Sequence, residues 1–351
     1  MVVSGLIIPV VGRMADLFGV RRTVTPAIFA LPVSYVAFSM MTGSIVQYAG
    51  ILFVQIVLCV SMTSTVYSRI AVQYSSAARG ISLAIVASGP ALTGAILAPV
   101  LNGFVEANGW RAAYHLLAAM SLASGIATLL LLPKDRRPDV AAVAPKRRAR
   151  DDYPLIVRNP AFWVVITAML LCNLPNMLGL SQMKLLLLDN GVSAQGTSVM
   201  LSAFAIGVLL GRFIAGFALD RFPTYLVGMI GMGMPSIGLL LIASSMDAPA
   251  ALTFAVLLIG LSFGAEGDII AYIVAQHFGL RIFSSVFSLG TLAVTVSTST
   301  GSLILSLTLK LTDSFNLFLV ISSASVLLGS MSFLFLARRK PDPAVVEAAY
   351  N

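Results

Sequence analysis

Long apolar runs separated by short polar joints set the pattern of this chain. Apolar segments fall at about 1–11, 23–43, 48–68, 81–103, 112–132, 161–187, 197–217, 225–245, 249–274, 283–309 and 315–336. All but the first approach or exceed the roughly 20 residues that an α-helix needs to cross the hydrocarbon core of a bilayer. In lipid every backbone N–H and C=O must be bonded internally, so only helices or closed barrels can span. Unbroken runs of this length, in place of alternating segments of about ten residues, select helices. The pattern predicts an all-α membrane protein with ten full spans and one stub. The stub is residues 1–11, which at 1.5 Å per residue reach only about 17 Å, roughly half of the core.

Composition agrees. The 351 residues are 58% hydrophobic and 10% charged, with a mean hydropathy of +0.95, whereas a soluble domain carries about 25% charged residues. The net charge of +8 would suit an acidic polymer, but its distribution argues against nucleic acid as a partner. If the joint at 12–22 is cytoplasmic and sides alternate, all 22 lysines and arginines except Arg111, Lys184, Arg212 and Lys310 fall on the cytoplasmic side. That asymmetry fixes topology, helped by anionic headgroups. Trp110 and Trp163 sit near span ends, as interfacial tryptophans do. Cys59 and Cys172 lie inside apolar runs and read as small hydrophobes, with no disulfide and no metal site expected. Residues 1–11 have no basic region before them and no small-residue cleavage site after them, so they do not read as a leader. The stretch 133–160, PKDRRPDVAAVAPKRRARDDYPLIVRNP, is too polar for lipid and reads as a cytoplasmic linker between two membrane halves.

One motif occurs twice. GRMADLFGVRR occupies 12–22, and its glycine and aspartate recur 204 residues later as Gly216 and Asp220, followed by Arg221, in GRFIAGFALDRF. Each copy closes an apolar helix on the cytoplasmic side and leads into the next. Two halves of the same hand follow, a parallel-repeat architecture known among transporters.

The first copy resembles the loop signature between helices 2 and 3 of the major facilitator superfamily, and the second resembles its counterpart between helices 8 and 9. Arg79-Gly80 and Gly109-Trp110-Arg111 add to the similarity. The resemblance implies two pseudo-symmetric six-helix bundles with about 11 of 12 transmembrane segments present, the chain beginning partway through family helix 2. The expected division is an N-terminal bundle at 1–132 lacking helix 1, a linker at 133–160, a C-terminal six-helix bundle at 161–337 and a cytoplasmic tail at 338–351. It also implies a cytoplasmic gate of Gly12, Asp16, Gly19, Arg21, Arg22, Gly216, Asp220 and Arg221, closed in one state of a transport cycle. The plainer alternative is an interfacial charge cluster that fixes topology. Leu17 stands where the family usually has a basic residue, and Phe18 and Val20 depart from its commoner polar choices.

Some charges sit where lipid would penalise them. Arg212 lies eight residues before Asp220, about 12 Å deeper along the same helix. At such depth an arginine costs at least about 2.5–3.5 kcal/mol, so it should face protein or a watery cavity. Its repeat equivalent is Ile8, so the cation does not come with the shared scaffold. Glu266 and Asp268, in FGAEGDIIAY at 263–272, have no acidic equivalent in the first half. They read as proton-coupling groups or as a clamp on Arg212, Arg221 or Arg281. Asn173, Pro175 and Asn176 interrupt a span, where amides can line a cavity or pack helices. With Arg212 and Tyr272, the two asparagines form the candidate substrate-binding set. The serine- and threonine-rich run 294–302 suits close helix contacts, and His115 and His277 read as interfacial.

No nucleophile–base pair, metal spacing or phosphate loop is present, so neither an enzyme nor a cofactor is expected. Arg212 followed by Gly216 resembles the helix-8 arginine of monocarboxylate porters and oxalate–formate antiporters, which binds substrate carboxylate. No lysine occupies the middle of helix 11, where oxalate–formate antiporters carry one. The favoured reading is a monomeric secondary transporter of a small organic anion, a monocarboxylate, coupled to protons in a bacterial inner membrane. The alternatives are efflux of drugs or metabolites on the same fold, and a truncated, non-transporting membrane protein.

Overall fold

The computed structural model describes residues 2–75, 78–133, 149–244 and 248–338. Residues 134–148 of the expected linker and 339–351 of the expected tail lie outside the described residues. Each apolar segment expected above falls mainly on helix. The first half holds α1 (Val2–Phe18), α2 (Val20–Ser39), α3 (Ile45–Cys59), α4 (Ser64–Tyr74) and α5 (Arg79–Leu131). A 3-10 turn at Val60–Met62 joins α3 to α4. Gly109, at φ 79° and ψ 165°, divides α5 into two helices; glycine takes this left-handed conformation at no steric cost. The second half holds α6 (Ala149–Arg158), α7 (Pro160–Cys172), α8 (Met183–Asp189), α9 (Ala194–Leu219), α10 (Thr224–Ala243), α11 (Pro249–Phe278), α12 (Phe283–Thr312) and α13 (Asn316–Ser332). Seven helical stretches among the described residues are long and apolar enough to cross a membrane.

Two elements differ from the sequence expectation. α1 does not stop at residue 11 but runs through the motif to Phe18, a length of about 26 Å. The joint expected at 12–22 narrows to Gly19, whose φ of 85° starts α2. Polar groups inside this helix are tolerated because other helices bond them, as described below. The span expected at 161–187 is not one helix. α7 ends at Cys172, and the chain turns before a π-helical stretch at Leu178–Gln182 leads into α8. Pro175 has no N–H to give to the Leu171 carbonyl, which instead accepts from Ser325 Oγ on α13 at 2.8 Å.

Glycines set the closest helix contact. Gly207 and Gly211 on α9 lie on the backbone of α11 around Leu257 and Leu261, and Gly260 and Gly264 on α11 lie on the backbone of α9 at Phe204 and Val208. A Cβ at any of the four would collide with the facing main chain. Such small-xxx-small pairs let membrane helices approach closely, where dispersion and weak hydrogen bonds replace the missing hydrophobic drive. The first-half equivalents, Val3, Ile7, Ile56 and Val60, cannot make this contact. The second half also carries the larger buried cores, one running from Phe162 and Met169 through Ile269 to Phe283 and another from Leu178 through Leu239 to Phe318.

Candidate functional site

The two halves meet at the end of the bundle where both copies of the motif lie. Asp16, near the end of α1, reaches the start of α12. Its Oδ1 accepts from the Ser284 N–H at 3.0 Å, and its Oδ2 accepts from the Ser285 N–H at 2.7 Å and Ser285 Oγ at 2.6 Å. The N-terminus of α12 has no side-chain cap from its own flanking residue, so a carboxylate from the other half satisfies its orphan N–H groups and faces its positive dipole end. Arg69 of α4 ion-pairs with the same carboxylate.

Asp220, the C-cap of α9, does the converse. Its Oδ1 accepts from the Gly80 N–H at 2.8 Å and its Oδ2 from the Ile81 N–H at 3.3 Å. These are the first residues of α5, another helix without a side-chain cap of its own. Ser284 and Ser285 follow Gly80 and Ile81 by 204 residues, the spacing that relates Asp220 to Asp16. The glycines obey the same relation: Gly12 lies on the Ser284 carbonyl and Ser288, and Gly216 on the Gly80 carbonyl and Ala84. Each half therefore caps a helix of the other, in pseudo-twofold fashion. The caps are not identical, because Arg69, which pairs with Asp16, corresponds to Ile273.

The remaining motif residues act locally. Arg21 donates from Nη1 to the Leu132 carbonyl at 2.8 Å, tying the start of α2 to the end of α5. Arg22 is exposed. Arg221 is exposed too, with its guanidinium 3.7 Å from the Phe217 ring centroid, so it is not the clamp on Glu266 or Asp268 that sequence allowed.

A second constellation lies deeper. The glycine contact between α9 and α11 sets Arg212 near Asp268, within range for its charge to act on the carboxylate. Asp268 is 2% exposed. Arg212 Nε and Asp268 Oδ2 are both buried without a hydrogen-bond partner. Glu266 precedes Asp268 by two residues, about 200° around the helix, and faces elsewhere. Asn173 and Asn176 line the same small cavity as Glu266. Asn176 Nδ2 also donates to Asn173 Oδ1, and Asn173 Nδ2 donates to the Met169 carbonyl at 3.0 Å. Around Glu266 and these amides, with Cys172, Pro175 and Ser262, is a cavity of about 20 Å³, enough for one water.

The candidate substrate set therefore separates into three places. Arg212 stands with Asp268, Asn173 and Asn176 stand with Glu266, and Tyr272 stands with Arg79, whose guanidinium carbon is 6.0 Å from its ring centroid. Helix geometry puts Glu266 and Asp268 on different faces, whereas Tyr272, four residues past Asp268, lies one turn further toward the capped end on the Asp268 face. His277 is buried instead of interfacial, while His115 is exposed. Arg69, Ser284 and Ser285 were not foreseen. A signal for the serines was present, since the repeat spacing maps them onto Gly80 and Ile81.

The family model for the Major Facilitator Superfamily matches residues 1–302. None of the curated proteins matches. Among solved structures, the E. coli fucose:proton symporter FucP superposes with a TM-score of 0.76 at 10% identity, covering 96% of this chain and 89% of that one. FucP in the outward conformation gives 0.74 at 12% identity, covering 96% and 88%. The proton:xylose symporter XylE bound to 6-bromo-6-deoxy-D-glucose gives 0.71 at 13% identity, covering 100% and 86%. At these identities the likeness concerns the fold alone. The chain is thus a multi-pass membrane protein that belongs to the Major Facilitator Superfamily of transporters.

Proposed function

We propose that this protein is a proton-coupled secondary transporter of a small organic anion, a monocarboxylate, working as a monomer in a bacterial inner membrane with the capped end facing the cytoplasm. One observation carries the reading: half-buried Arg212 lies within charge range of buried Asp268 between α9 and α11, and Arg212 Nε and Asp268 Oδ2 each lack a hydrogen-bond partner. Leaving such groups unpaired in an interior costs about 1–3 kcal/mol each, a cost that function explains and architecture does not.

The pair suits coupling. While Asp268 is ionised it competes for the Arg212 guanidinium. Protonation cancels that competition, and the guanidinium then grips a substrate carboxylate bidentately. One proton and one anion enter together, and net charge in the site stays constant. Arg212 and the Asp220 cap share α9, about 12 Å apart, so occupancy of the deep site is linked through one rigid element to the closure between halves. The 1–132 and 161–337 bundles rock about this site, and release of the two caps opens the cytoplasmic side. Glu266, with the amides beside it, holds the broken α7–α8 span against α11.

The test is uptake of a labelled monocarboxylate, such as lactate, into proteoliposomes under an imposed proton gradient. The wild-type protein accumulates it, with apparent affinity rising as pH falls, because protonated Asp268 is the binding-competent form. Arg212→Ala abolishes uptake without loss of folded protein. Asp268→Asn keeps binding but removes its pH dependence. Uptake retained in Arg212→Ala would contradict the anion reading.

A further inference from the structure

Arg221 belongs to the repeated motif but takes no part in the Asp220 cap. It is exposed, folded over Phe217, and makes no ion pair among the described residues. Beside it opens a cavity of about 320 Å³ between α9, α10 and α11, lined by Ile214, Ala218, Phe222, Leu226, Ile230 and Met234 among others, with scarcely any polar surface. The crevice runs from Phe222 and Leu226, near the capped end, to Met234, eight residues and about 12 Å further along α10. Ile214, Phe222 and Ile230 are more than half exposed, so its side opens toward lipid. The N-terminus of α10, at Thr224, lies at the mouth and lacks a side-chain cap.

We infer that this crevice is a binding site for an anionic phospholipid, one acyl chain lying along α10 and the phosphate held between Arg221 and the amino end of α10. The apolar lining excludes a polar solute, and the depth suits an extended chain. The exposed guanidinium and the positive helix end supply the complementary charge for a phosphodiester. A zwitterionic lipid brings a cation to the same place and loses most of that attraction. The chain would lie against Leu261 and Ala265 of α11, less than one turn from Asp268, so the lipid would pack behind the deep site. The inference stands apart from the transport reading, since it concerns lipid binding alone.

Native mass spectrometry of the whole protein, titrated with dioleoylphosphatidylglycerol and with dioleoylphosphatidylcholine, tests it. The wild-type protein should retain the glycerol lipid roughly fivefold more than the choline lipid, as one basic group at an anionic surface implies. Arg221→Ala should bring that ratio close to one, and Ala218→Trp, which fills the crevice, should lower retention of both lipids. Should Ala218→Trp fail to fold, Ile230→Trp blocks the same space from the outer rim. Equal retention of the two lipids by the wild type, or a ratio unchanged in Arg221→Ala, would overturn the proposal. So would retention unchanged in the filled variant.

Discussion

At the scale of single residues, Arg212 and Asp268 account for each other. A buried charge is stable only with a counter-charge in reach, and removing one partner of such a pair costs about 3–5 kcal/mol where contact is close. Substitution should therefore be non-additive. Arg212→Ala and Asp268→Ala should each lower the thermal midpoint of the purified protein, while the double variant should recover part of the loss. Its coupling energy should be about 1 kcal/mol or more, read from a double-mutant cycle of unfolding midpoints in detergent. Strict additivity would mean the two groups do not interact. The sequence exposed both residues, because charge in a span is conspicuous and the repeat equivalent Ile8 carries none. It did not place Asn173 and Asn176. A side chain's direction depends on where the helix breaks, and the turn after Cys172 rotates everything downstream of it.

At the scale of elements, glycines decide which helices can touch. Gly264 and Gly267 stand three residues apart on α11 yet answer to different neighbours. A Cβ at Gly264 meets the Val208 carbonyl, whereas one at Gly267 meets nothing within 4 Å. Gly264→Ala should push α9 away and cost about 1–3 kcal/mol, while Gly267→Ala should be neutral or stabilising by up to about 1 kcal/mol through helix propensity. Thermal stability of the two variants, measured side by side, checks the prediction, and equal loss in both would contradict it. The span boundaries were legible because twenty apolar residues leave little choice. The course of α1 through residues 12–18 was not, since Asp16 looks like a loop residue until the helices that receive it are known. Asp16 is helical because Ser284, Ser285 and Arg69 bond it, and none of these is near in sequence.

At the scale of the whole molecule, duplication is the organising fact. Gly12 and Asp16 pack on Ser284, Ser285 and Ser288, and Gly216 and Asp220 on Gly80, Ile81 and Ala84, in one register. The motif was visible as a sequence repeat, but its function as an exchanged cap needs the third dimension, because each aspartate bonds a helix more than a hundred residues away. An aspartate cap is worth about 1 kcal/mol. Losing both should shift the balance between closed and open ends by about 2 kcal/mol, roughly 30-fold. Arg69 pairs with Asp16, so Asp16→Ala should have the larger single effect.

Electron–electron resonance between spin labels at Tyr74 and Phe222, exposed positions on opposite halves beside the caps, measures that balance directly, with Cys59→Ser and Cys172→Ala removing the native thiols. With both aspartates present, one short distance should dominate. In the Asp16→Ala/Asp220→Ala variant a longer distance should become the major population. A distribution unchanged by loss of both aspartates would contradict the claim that two exchanged caps hold the halves of this transporter together.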